Sequence, residues 1–153
     1  MKLPYAELLL TTYADRRVAF DAKEDGFSFT ILNPEWEEGA ICVASEGETL
    51  TLHFADMHED FSGDFGELIE MIDALLADET MIFTILSQGK EVLGGSRGTD
   101  EIDIDHNIAR FVRSLSDGDP ALHAELKAVI ARGNCQCRLR GFRRARNRTF
   151  LLS

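Results

Sequence analysis

Two stretches of alternation constrain this chain more than anything else in it. Val18, Phe20 and Ala22 lead up to Asp25-Gly26, and Phe27, Phe29 and Ile31 lead away from it; Ile41 and Val43 then pass through Glu46-Gly47-Glu48 to Leu50, Leu52 and Phe54. A period of two on either side of a Gly-containing turn marks a β-hairpin with one face buried. Two such hairpins within about forty residues predict an antiparallel meander. Asn33-Pro34 breaks the chain between them, and Glu35–Gly39 reads as a loop carrying the only tryptophan, Trp36.

The period changes on both sides of this block. Tyr5, Leu8, Leu9 and Tyr13 have helical spacing and predict a short helix over Pro4–Tyr13. Beyond the hairpins, Phe65, Leu68, Ile69, Ile72, Leu75 and Leu76 form one apolar stripe, with Glu67, Glu70 and Asp73 opposite and Asp64 placed to cap. Met81–Leu86 is a continuous β-prone run, the pattern of a strand covered on both faces, and Gln88-Gly89 turns it into Lys90–Leu93. Gly94–Gly98 reads as a flexible connection, followed by a short helix from about Asp105 through Ile108, Phe111, Val112 and Leu115. The last helix is bounded by Asp119, Pro120 and Gly133, with Leu122, Leu126, Val129 and Ile130 inward. Cys135, Cys137 and Leu139 then alternate with Gln136, Arg138 and Arg140, and Thr149–Leu152 returns, giving a basic strand or hairpin.

With 153 residues the chain is expected to be a single α+β domain, residues 1–153. Its predicted fold is an antiparallel or mixed sheet of about six to eight strands with three or four helices mainly on one face. No run of roughly 18 apolar residues is present to span a bilayer, and the N-terminus lacks a secretory pattern. Three cysteines cannot close a complete disulfide framework within one chain, so the expected location is cytoplasmic.

The net charge is −11, unevenly spread: all 27 acids precede residue 132, whereas residues 132–153 carry seven arginines and no acid. Such a segment most simply neutralises part of an acidic body; a nucleic-acid strip ranks well behind, because the acidic remainder repels a polyanion.

Several clusters contain residue types that can carry chemistry. His53, Asp56, His58, Glu59 and Asp60 fall within eight residues, and His53, Asp56, His58 and Asp60 are ligand types for a divalent metal, with His106 or His123 available from elsewhere. The spacing is not that of a known metalloprotease motif, and alternation places His53 on the face opposite Phe54, with Asp56, His58 and Asp60 in the following loop. Cys135 and Cys137 share one side of a strand, an arrangement suited to packing ahead of redox chemistry. Gly89, Gly94, Gly95 and Gly98 do not make a phosphate loop, and no serine elbow is present. Trp36 among Glu35, Glu37 and Glu38 either anchors its loop or centres a partner surface.

Leu50–Phe61 with the helix after it, and the Cys137–Phe142 strand, resemble a loosely defined group of small bacterial α+β proteins, some in toxin-immunity-like settings. Phe54 and His58 match that spacing; Asp56-Met57 stand where the pattern usually has an aromatic. The resemblance implies an α+β domain and supplies no reaction. The combined expectation is an acidic immunity-type or regulatory protein that binds a basic protein partner through Trp36, Asp56, His58, Glu59 and Asp60, with no catalytic residue and no cofactor. The alternative class is a metal-dependent hydrolase or metal-binding domain using His53, Asp56, His58 and Asp60.

Overall fold

The structure, a computed structural model, describes residues 3–62, 64–98, 118–144 and 147–152. The chain divides into two compact units. One runs up to Ala77 and includes Phe142–Arg144; the other runs from Asp78 to Gly141 and ends with the last strand. The fold is α+β, as expected, but the strands form two antiparallel sheets, five-stranded and four-stranded. Nine strands and three α-helices are present among the described residues, so one sheet of six to eight strands is a correction. The extra strand and the separation have one origin. The first meander does not stop at Phe54 but turns once more, and the next strand of the chain starts a new sheet.

In the first unit, β1 (Val18–Lys23), β2 (Gly26–Ile31), β3 (Ile41–Glu46), β4 (Thr49–Phe54) and β5 (Met57–Asp60) pair in chain order. Phe27, Phe29, Ile31, Ile41, Val43, Leu50, Leu52 and Phe54 are all buried, because the two-residue period puts each of them on the same face. Helix α1 (Leu3–Thr12) packs there through Leu9, and Tyr13, in the turn just past its end, places its ring 6.1 Å from that of Phe29. Ala6 is buried on α1 and Leu8 is exposed, so the inward stripe is rotated from the predicted one; the small alanine permits closer approach than leucine.

Helix α2 (Phe65–Leu76) buries Leu68, Ile72 and Leu75 and starts at Asp64, whose carboxylate accepts from the Glu67 N–H at 2.9 Å. It lies alongside α1. Tyr5 stacks on Phe65 at 4.8 Å, and the Tyr13 hydroxyl donates to Asp73 Oδ1 at 2.9 Å. Burial, and then the Asp73 carboxylate, raise the Tyr13 hydroxyl well above the ordinary tyrosine range. The unfolded chain gives up that proton near pH 10 while the folded chain keeps it. The resulting stabilisation is therefore complete below pH 10 and declines as the pH rises past it. Tyr13→Phe is expected to lower stability by about 1 kcal/mol at neutral pH and to flatten the alkaline fall. Urea titrations at pH 7 and pH 10.5 check both; an unchanged alkaline slope contradicts the assignment.

In the second unit, β6 (Thr80–Ser87) lies between β7 (Lys90–Gly98) and β8 (Cys135–Arg140), and β9 (Arg148–Leu152) pairs with β8. From Met81 to Leu86 every residue of β6 is buried, which is why its sequence shows no alternation. Gln88 and Gly89, both at positive φ, close the β6–β7 hairpin in the two-residue turn whose twist suits paired strands. The glycine stretch Gly94–Gly98, expected to be a flexible connection, is strand: β7 runs its whole length against β6. Side-chain-free positions there leave room for the Phe83 ring, over which the Arg97 guanidinium sits at 5.4 Å.

Helix α3 (Pro120–Ala131) is capped by Asp119, which accepts from Leu122 N at 3.1 Å, and is followed by Gly133 at φ 81°, the left-handed position that ends helices. Leu126 and Val129 pack with Met81, Phe83, Ile85, Cys135, Cys137, Leu139 and Leu152 in one core. Burial pushes the Cys137 thiol up to about 12 and that of Cys135 upward as well, so both are protonated packing groups at neutral pH. The helix expected from about Asp105 to Leu115, and His106, lie outside the described residues. No helix among the described residues is long and apolar enough to cross a membrane.

Candidate functional site: the open face of the five-stranded sheet

The register of the first sheet decides which polar residues meet. On the face opposite the core, one row runs Asp21, Ser28, Ala44, Thr51, Asp60 across all five strands. The neighbouring row runs Ala19, Thr30, Cys42, His53, His58. The floor of this face is thus made of small side chains, with an aspartate at each edge of one row and two histidines at one end of the other. Its side chains are half-buried or exposed, whereas the opposite face is buried on β2, β3 and β4 and open at its edges, where Phe20 of β1, expected on the buried face, is exposed.

His53 faces away from the core, as alternation predicts. His58 and Asp60 do not lie in a loop: Met57–Asp60 is β5, and of the sequence cluster only Asp56 sits in the connecting turn. Phe54 pairs with Met57, so Ala55 and Asp56 alone reverse the chain, with Ala55 held at φ 51°. A turn without glycine or asparagine, followed by exposed polar residues, gives none of the usual hairpin signals. The consequence is that His53 and His58 stand directly opposite each other on adjacent strands, their rings 6.2 Å apart and near parallel. Asp60 accepts from the Thr51 hydroxyl at 2.8 Å, and Cys42 Sγ lies 3.7 Å from Ser28 Oγ. Asp56, His58, Glu59 and Asp60 are all exposed.

The four-residue metal set is not assembled: among the described residues no three His, Cys, Asp or Glu side chains are gathered to hold a metal ion. His123 lies on α3, in the second unit.

Trp36 is placed elsewhere. Its indole meets the core-face ring of Phe54 edge-on at 6.1 Å, and its Nε1 donates to the Phe142 carbonyl at 3.0 Å. Asn33 Nδ2 donates to the same carbonyl at 2.7 Å and to Gly39 O at 3.0 Å. The half-buried indole therefore anchors the Glu35–Gly39 loop to Phe142, whose ring also lies 6.0 Å from the Arg16 guanidinium. Of the five residues expected to form a partner surface, Asp56, His58, Glu59 and Asp60 share one hairpin, but its register puts only His58 and Asp60 on the open face, with Asp56 in the turn; Glu59, paired with Leu52, and Trp36, against Phe54, are on the other face.

Four acids that sequence reasoning left scattered join the site. Gly26 pairs with Glu46, so the β1–β2 and β3–β4 turns lie at the same end of the sheet, and Glu24, Asp25, Glu46 and Glu48 share that end, all exposed. The signal is register, which alternation in either hairpin alone does not supply. No family model, curated protein or solved structure matches the chain.

Proposed function

We propose that the protein works by binding, and that the open face of its five-stranded sheet receives a basic segment of a partner protein. One observation carries this reading. The five-stranded unit holds seventeen acids against six bases, whereas the other unit holds ten of each, so the whole −11 excess belongs to the first unit. A flat floor of Ser28, Thr30, Ala44 and Thr51, bordered by Asp21 and Asp60, leaves room for an extended chain whose lysines or arginines reach carboxylates on either side. Trp36 enters this reading only through the acidic loop it holds in place. An immunity-type or regulatory role would use such a face to cover a basic surface on its target.

A deca-lysine peptide titrated into the isotope-labelled chain tests the location. Amide NMR shifts are expected to concentrate on Asp21, Thr51 and Met57–Asp60. Shifts confined to the acidic outer side of α2 (Glu67, Glu70, Asp73), or to the four-stranded unit, overturn the assignment of this face.

A further inference from the structure

We infer that His53 and His58 form a two-histidine site for a borderline divalent cation such as Zn2+, bridging the last two strands of the sheet. The inference stands on the ladder geometry and does not depend on the docking reading. The two residues are direct partners in the β4–β5 register, both side chains are exposed on the open face, and their ring centroids are 6.2 Å apart. Two imidazoles that share one ion through bonds of about 2 Å place their centroids roughly 4.5–6.5 Å apart, so side-chain rotation alone brings a nitrogen of each ring to the ion.

The backbone is already fixed by the antiparallel pairing of Thr51 to Asp60 through Phe54 to Met57, so the ion does not have to order a loop before it binds. Imidazole nitrogen is the ligand that zinc, nickel and copper prefer over calcium or magnesium, which fixes the class of ion. The exposed carboxylates of Asp56 in the turn and Asp60 on the same face raise the local concentration of cations. Among the described residues no third His, Cys, Asp or Glu side chain is gathered with the two imidazoles, so the chain supplies two ligands and water completes the shell: the site is exchangeable, not structural. Occupied, it ties the four-residue edge strand β5 to β4 and stabilises the sheet by mass action.

The test is a Zn2+ titration of the full chain followed through the imidazole C–H NMR signals of all four histidines. His53 and His58 are expected to respond together and saturate at one ion per chain, while His106 and His123 stay unmoved. His53→Gln and His58→Gln are each expected to weaken binding by about tenfold or more, and Cys42→Ser to leave it unchanged. No response at millimolar Zn2+, responses of His53 and His58 at different concentrations, or unaltered affinity in His58→Gln overturns the site. Deca-lysine binding measured beside zinc binding on the native chain separates the two claims: peptide binding without a zinc response removes the metal site alone, and a zinc response without peptide binding removes the docking reading alone.

Discussion

Trp36→Ala is expected to lower the stability of the five-stranded unit by about 3 kcal/mol, at the lower end of what truncating a large aromatic costs because the ring is half-buried. Three losses combine. The edge contact with Phe54 disappears, a gap opens beside Gly39, and the Phe142 carbonyl keeps only the Asn33 donor of its two. Gly39 is part of the same arrangement: a β-carbon there would overlap the indole and the Asn33 amide, so the loop packs its backbone directly on the ring. Trp36→Phe restores the ring contact without the N–H and is expected to recover more than half of the loss. Urea unfolding followed by far-ultraviolet circular dichroism gives both numbers. A loss below about 1 kcal/mol for the alanine variant contradicts the anchoring role and returns the indole to the list of partner-facing groups.

Gly26→Ala is expected to be as damaging, by overpacking. Its backbone φ is ordinary, so no left-handed strain is involved; the constraint is the neighbour. A β-carbon built on Gly26 falls on the main-chain carbonyl of Ser45, and a strand backbone cannot step aside as a flexible side chain can. The β2–β3 ladder must open at the Gly26–Glu46 end, where the acidic turns meet. A stability loss of about 3 kcal/mol is expected, with amide-exchange protection falling first at Phe27 and Ser45. A change within about 0.5 kcal/mol contradicts the close packing of these strands.

How far the structure was legible follows from the range of the interactions involved. Phe29, Val43 and Leu52 announced a buried sheet face because strand alternation is local, and Asp64, Asp119, Pro120 and Gly133 announced helix ends because capping is local too. The fifth strand was hidden because Ala55-Asp56 is not a turn-forming pair and Met57–Asp60 exposes nearly all its side chains, leaving no apolar period to read. Gly94–Gly98 looked flexible in isolation; it is strand because β6 offers a partner along its whole length and the Phe83 ring uses the space.

The candidate site divides in the same way. That His53 faces away from the core was readable from Leu52 and Phe54 on either side of it. That His58 stands opposite it, and that Asp21 shares a row with Asp60, depends on register across strands far apart in sequence, which the alternation of one hairpin does not encode. Trp36 was readable as an anchor or a contact, and its carbonyl partner, Phe142, lies more than a hundred residues away.

On the proposed reading, carboxylates at the rims of one sheet face attract and hold a cationic chain. The most direct measurement of that attraction is the dissociation constant of the deca-lysine peptide for the native chain and for Asp21→Lys/Asp60→Lys, at low and at physiological ionic strength. About a tenfold weakening is expected in the double variant at low salt, and about a tenfold weakening of the native chain on raising the salt. Affinity that survives both changes contradicts the reading.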